Sequence, residues 1–485
     1  MGLYKSLFKQ TTIYGLATVL PRMLSFLLVR LYTDKLTNAS DYGIVTIAFA
    51  WLVFMNVVLS YGMETSFFRF YSREENKQSV LQTSTISLFW SSIGFLILGL
   101  LFRHTLADWT GIDAEFVSYC IWILVLDALV VIPFSKLRIN QRPIVYATVK
   151  ILNTLINIGL NVFFLLFLPK LATNPDSVFS LMYIENFQVG YIFVSNLIAS
   201  LLTLLFFVPD YFKIKWTFDA KLWRKMMSYS LPILVAGIAF AVNEHFDKIL
   251  LERLLPSDIA KHEVGVYGAC YKIGVFMVLF ATAFRLGIEP FFFSYAHNEN
   301  APKTYANITK YFVIFGSLIM LGVIVFSDII KQLLIGNQTY WEAMKVVPLI
   351  ILANFCLGIY HNLSVWYKLT DKTKMGAYIS IIGAVLTLVL NYLLIPKYSY
   401  MGSAIATLVA YGSMMLISYV LGKKHYYIPY DMTKIGIYLG GSILLSYIYF
   451  YHFRENYFVG MAFIVLFSAI IFQLEKNTLK SIIKR

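Results

Sequence analysis

Apolar residues in this chain do not alternate or form narrow stripes; they fill long continuous runs, separated by short polar breaks. A helix needs about 20 mostly apolar residues to cross a bilayer. Fourteen runs meet that length, near residues 11–32, 42–64, 80–102, 115–135, 145–168, 187–208, 228–251, 265–290, 308–330, 343–364, 375–395, 400–421, 435–451 and 457–474, the last two being the shortest. Each predicts a membrane-spanning α-helix, because a backbone in hydrocarbon must satisfy its own N–H and C=O groups. The first run follows Lys5 and Lys9, is too long for a signal-peptide core and lacks a small-residue cleavage site, so it reads as a span.

Composition sharpens that picture. Of 485 residues 59% are hydrophobic and 14% charged, with mean hydropathy +0.69; a soluble domain carries roughly 25% charged residues. A soluble enzyme is thereby excluded, and 40 Phe, 34 Tyr and 8 Trp exclude a disordered chain. The net charge of +14 reads as a topology signal, not as a nucleic-acid footprint. With both termini cytoplasmic, the inside segments carry roughly three times the Lys and Arg of the outside loops, the bias that fixes orientation. Cys120, Cys270 and Cys356 lie inside apolar runs, far from metal-ligand spacing, and read as packing residues without disulfide, zinc or other cofactor.

The loops are short. The longest inside one, 210–225, mixes Trp, Phe and Lys, a composition suited to the membrane interface. It follows the sixth span, and a repeat makes it a boundary. Gly62-Met63-Glu64 closes span 2 as Gly287-Ile288-Glu289 closes span 8, Tyr42-Gly43 matches Tyr267-Gly268, and Leu168-Pro169-Lys170 matches Ile395-Pro396-Lys397. An even number of spans per repeat keeps both repeats in one orientation. The expected fold is all-α and polytopic: a first lobe over 1–208, an interfacial linker over 209–227, a second lobe over 228–421, and two further helices with a basic tail over 422–485. The two six-helix lobes would enclose a central cleft.

Candidate chemistry lies in the ionisable groups within the spans. Arg22, Asp127, Glu244, Asp247, Lys248, Lys272 and Arg285 would each cost about 2.5–3.5 kcal/mol facing lipid, so they must pair or line a wet cavity. Glu244 and Lys248 are spaced as a helical ion pair, as are Arg285 and Glu289 in the poorer order. Both pairs have a purely structural reading. Arg22 and Arg30 then put positive charge on span 1, where Pro21 removes a backbone hydrogen bond and predicts a bend. Two readings stay open for Arg22: an anion site facing the cleft, or a buried guanidinium satisfied by carbonyls. Lys272 and Arg285 are further candidates for substrate binding. Asp127, Glu244, His245, Asp247, Lys248, Glu64 and Glu289 are candidates for coupling or cavity lining, while His361 reads as a hydrogen-bonded bundle residue.

These features resemble the multidrug, oligosaccharidyl-lipid and polysaccharide exporter superfamily, within it the bacterial polysaccharide-transport (Wzx-type) branch. The resembling residues are Asp41-Tyr42-Gly43, Gly62-Met63-Glu64, Leu231-Pro232, Asp247-Lys248, Val264-Gly265-Val266-Tyr267 and Pro290. The resemblance implies a non-enzymatic flippase, located in the bacterial inner membrane. It would turn a lipid-linked oligosaccharide, such as an O-antigen repeat unit on polyprenyl diphosphate, from the inner to the outer leaflet. It implies a proton or sodium gradient as driving force, membrane lipids as surroundings, a polysaccharide polymerase or other assembly protein as partner, and a monomer.

Two alternatives compete. A drug or metabolite exporter on the same fold would call for acidic groups in the first lobe, whose deep charges are Arg22, Arg30 and Asp127. A membrane glycosyltransferase, polymerase or ligase would need a large outer loop, and Asp113 and Glu115 stand on a short one. No phosphate-binding glycine loop, HExxH or G-x-S-x-G signature occurs.

Overall fold

The computed structural model describes the backbone of residues 2–174, 176–295, 298–370 and 372–483, and the side chains of those from 15 to 476 except 290, 293 and 294. The side chains of Lys5 and Lys9 before the first span, of Pro290 and of the tail beyond 476 lie outside that description. The chain divides into two compact units, Met1–Gly268 and Ala269–Arg485.

The first unit holds α1 (Gly2–Lys35), α2 (Ala39–Ser60), α3 (Met63–Arg73), α4 (Lys77–Leu101), α5 (Arg103–Thr110), α6 (Ala114–Leu129), α7 (Val131–Ile139), α8 (Pro143–Val162), α9 (Leu168–Leu171), α10 (Gln188–Phe212), α11 (Ala220–Leu254) and the start of α12 (Ser257–Ser294). α1 packs on α8, α10 lies against α6 and α8, and α11 lies against α2 and α3. That last packing carries the unit past the 209–227 linker and into α12. The linker itself shortens to 213–219, where Asp219 caps α11 by accepting from the Lys221 and Leu222 amides. Trp216 and Phe218 of this segment are exposed, and Thr217 and Asp219 bond to Gln82 and Thr83 of α4.

Three glycines explain residues quoted above. Tyr61 and Gly62 both take left-handed φ, 35° and 70°, and so end α2 and turn the chain into α3. Gly43 on α2 and Gly265 on α12 lie where the two backbones touch: a Cβ on Gly43 would overlap the Lys261 carbonyl, and one on Gly265 the Ala39 carbonyl. Asp41-Tyr42-Gly43 and Val264-Gly265-Val266-Tyr267 are thus the two sides of a single helix crossing.

The second unit continues with α13 (Ala301–Val325), α14 (Ser327–Leu334), a 3-10 segment (Gln338–Val346), α15 (Val347–Leu363), α16 (Val365–Leu369), α17 (Thr373–His425), α18 (Met432–His452) and α19 (Tyr457–Ile483). α15 packs on α17, and α13 on α15, α18 and α19. Cys356, Trp366, Ile379, Tyr411 and Met414 belong to one core cluster of this unit, and all three cysteines of the chain are free thiols.

Among the described residues twelve helices are long and apolar enough to cross a membrane. One of them, α17, has 53 residues. At 1.5 Å per residue that is about 80 Å, far beyond a hydrocarbon core of about 30 Å. It breaks after Pro396, where Ser399 takes φ 48° and ψ −135°, and therefore supplies two spans. The 21-residue α18 is long enough but richer in Gly and Tyr than the twelve. Counting α17 twice and adding α18 recovers fourteen. Pro21 lies inside α1, which is helical on both sides of it.

Candidate functional site

Inside the first unit, α2, α6, α8 and α10 surround a cavity of about 260 Å³. Its polar lining is assembled from helices whose other faces are apolar. Asp127 on α6 accepts a hydrogen bond from Ser200 Oγ of α10 at 2.8 Å. Asn153 Nδ2 of α8 donates to Thr203 Oγ1 of α10 at 2.9 Å. Lys150, one turn before Asn153, opens onto the same space, with its Nζ 4.5 Å from the Phe134 ring centroid and within electrostatic reach of Asp127 and Glu64. Glu64 on α3 accepts from Arg138 Nη1 of α7 at 2.6 Å, and the Arg138 guanidinium lies 4.9 Å from the Phe68 ring.

The site therefore contains one ion pair, Glu64 with Arg138, and an acid and a base, Asp127 and Lys150, within electrostatic reach of each other. Two carboxamides in the lining, Asn56 of α2 and Asn196 of α10, make no side-chain hydrogen bond to a described residue. Such a space can take up a polar guest by hydrogen bonding, without a large electrostatic preference for either sign.

Of the predicted site residues, Asp127 and Glu64 line this cavity. Arg22 stands exposed on α1 and meets no acid among the described residues. Arg30 is bound instead to Asp34, one turn along the same helix, at 2.9 Å. On α11 the expected pairing of Glu244 with Lys248 is replaced. Lys248 Nζ folds onto its neighbour Asp247 at 2.8 and 2.9 Å, and Tyr267 Oη donates to Asp247 Oδ2 at 2.8 Å. Asp247 and Lys248 are 1% and 7% exposed, and this burial favours the shorter reach to the deeper carboxylate. Glu244 lies half-buried, 3.8 Å from His245 Nε2. The motif Asp247-Lys248 and the tyrosine of Val264-Gly265-Val266-Tyr267 thus lock α11 to α12.

In the second unit Lys272 is exposed. The expected Arg285–Glu289 pairing is also replaced: Glu289 pairs with Lys368 of α16, and Arg285 shares a narrow crevice with Lys368 and His361. Among the described residues no group of three or more His, Cys, Asp or Glu is placed to hold a metal ion.

Lys150, Arg138 and Lys368 were not singled out as site residues by the sequence reading. For Lys150 a signal exists: Lys150, Asn153, Asn157 and Asn161 recur at three- and four-residue steps and form one polar stripe on α8. Asn161 accepts from Tyr32 Oη of α1 at 3.0 Å and Asn157 from Asn161 at 2.7 Å, so the stripe runs from the cavity to the α1 contact. Also unforeseen are two charge clusters in the second unit. Glu475 of α19 accepts from Lys310 of α13 at 2.8 Å and Lys434 of α18 at 2.9 Å. Asp328 of α14 pairs with Lys331 and, at 2.8 and 2.9 Å, with Arg454 beyond α18.

The sequence profile of the family described as "Polysaccharide biosynthesis protein" matches residues 7–277, more than half of the chain. The chain belongs to that family. A second profile, MatE, matches residues 232–393, and the two together place the chain in the multidrug, oligosaccharidyl-lipid and polysaccharide exporter superfamily. An uncharacterised membrane protein of Methanocaldococcus jannaschii is 21% identical over 192 residues, an alignment that spans 44% of that relative. Among solved structures, the lipid II flippase MurJ in an inward closed conformation superposes with TM-score 0.75 at 17% identity, covering 95% of this chain and 99% of that one. An inward-facing multidrug resistance transporter of the MATE family gives 0.63 at 11% identity, over 85% and 94%. A transporter of the same superfamily from Pyrococcus furiosus gives 0.60 at 13% identity, over 89% and 96%. The family member described here is a multi-pass membrane protein, and its family and fold neighbours are transporters and flippases, not enzymes.

Proposed function

We propose that this protein is a flippase that carries a polyprenyl-diphosphate-linked oligosaccharide from the inner to the outer leaflet of the cytoplasmic membrane. It works by alternating access, driven by a proton or sodium gradient, with both termini cytoplasmic. The observation that supports this reading most directly is the polar, charge-balanced cavity among the membrane-spanning helices of a polysaccharide biosynthesis family member. An organic cation would gain little there, since Glu64 is already paired with Arg138 and the Lys150 ammonium lines the same space as Asp127; this weighs against drug export.

The diphosphate needs positive charge elsewhere, because an ionised group cannot cross bare hydrocarbon. Arg22, exposed and without an acid among the described residues, supplies it. Its planar fork can bond two phosphate oxygens at once. In proteoliposomes with a lipid-linked oligosaccharide in one leaflet, Arg22→Ala should lower the initial flipping rate about tenfold or more, the loss of a charge-assisted bond of ~1.5–3 kcal/mol. Arg22→Lys should restore part of it, and both variants should melt like the parent. A folded Arg22→Ala protein with the parent's rate would remove Arg22 from the site. A parent protein that moves organic-cation dyes but no lipid-linked sugar would favour the drug-exporter reading.

A further inference from the structure

We infer that the cavity of the first unit is a subsite for a neutral sugar ring, distinct in chemistry from the place where the diphosphate binds; this rests on the flippase reading. A diphosphate site needs an excess of cations, and a sodium site needs an excess of oxygen ligands with negative charge. This cavity offers neither. Lys150 is an internal cation within reach of Asp127 and Glu64, and Glu64 also holds Arg138. A metal ion would meet the Lys150 ammonium as well as the acids, and a diphosphate would face two carboxylates.

Size and hydrogen bonding say what fits instead. A lone water needs roughly 10–15 Å³, so a volume of about 260 Å³ is room for a ring-sized molecule. The carboxamides of Asn56 and Asn196 each present a donor and an acceptor with no described partner, from helices α2 and α10. Asn153, on α8, lines the same space while its amide donates to Thr203. A polyol, whose every hydroxyl both donates and accepts, matches such a lining. On the wall stand Phe134 and Tyr146, edge to face with ring centroids 5.3 Å apart. They give the apolar C–H face of a pyranose an aromatic surface to cover. Carboxamides, a balanced ion couple and two rings together select a sugar over an ion.

The test compares two probes on the purified full-length protein: a polyprenyl diphosphate alone, and the same lipid bearing one N-acetylhexosamine or one hexose. The parent should bind a sugar-bearing probe at least tenfold more tightly than the bare lipid. Asn153→Ala/Asn196→Ala should erase that gap while leaving affinity for the bare lipid unchanged, and Asn56→Ala, on a separate helix, gives the same readout should the double variant fail to fold. Equal affinity of the parent for bare and sugar-bearing lipids would overturn the inference while leaving the flippase reading intact. So would a gap that survives in the variants, or sodium-dependent stabilisation abolished by Asp127→Asn. Failure of every lipid to bind would overturn the inference and the flippase reading together.

Discussion

At the scale of single residues, the decisive feature is how buried charges choose partners. Asp247 accepts from Lys248 on both carboxylate oxygens and from Tyr267 on Oδ2. Removing one partner of a buried couple leaves an uncompensated charge and costs about 3–5 kcal/mol. Asp247→Asn should therefore lower the melting temperature of the purified protein strongly, and adding Lys248→Met should recover much of the loss. Glu244 holds no such couple, only a His245 contact at 3.8 Å; Glu244→Gln should leave the melting temperature nearly unchanged. Thermal melts of the three variants in one detergent check this. A large loss in Glu244→Gln together with an unaffected Asp247→Asn would return Lys248 to the partner that helical spacing first suggested.

Among elements, α18 and α19 are held to α13 and α14 by charge at both ends. Glu475 gathers Lys310 and Lys434 at one end, and Asp328 gathers Arg454 and Lys331 at the other. Asp328 lies beyond the end of α13, outside the membrane-spanning segment. Burial alone would raise its carboxyl pKa, but hydrogen bonds from Arg454 and Lys331 outweigh that and hold it below the usual carboxylate range. A depressed carboxyl contributes stability that is complete above its unfolded pKa and lost as pH falls through the folded one. Melting temperature should thus fall on acidification below the ordinary carboxylate range. Asp328→Asn should be less stable at neutral pH and lose less on acidification; an acid slope unchanged in that variant would detach the effect from Asp328. Neither cluster was legible in the sequence, since Asp328 and Arg454 are 126 positions apart and no periodicity links them. The spans were legible, because an apolar run of that length has one satisfactory conformation in a bilayer. The cavity was half legible. Asp127 stood out as a lone acid in an apolar run, while Lys150 looked like the edge of a span and only the asparagines one, two and three turns further on give its face away.

For the whole molecule, orientation decides what the cavity can do. Glu64 and Arg138 stand at the ends of the second and fourth spans, and Lys150 near the start of the fifth. If the Lys- and Arg-rich segments are cytoplasmic, all three lie on the inner side, where a lipid-linked sugar made inside the cell would be loaded. If they are outside, the same cavity would receive cargo from the wrong face, and outward flipping would have no entry site there. The charge bias favours the first arrangement, and single-cysteine labelling tests it. Asp176 belongs to the loop before α10, and Lys221 is exposed in the first turn of α11, so one span separates them. In a protein without Cys120, Cys270 and Cys356, a membrane-impermeant thiol reagent added to intact cells should label Asp176→Cys and spare Lys221→Cys until the membrane is opened. The reverse order would place the cavity mouth outside and convert the proposed direction of transport to import. Labelling of both from outside would mean that α10 does not cross the membrane, and would remove the fourteen-span topology on which the loading argument depends.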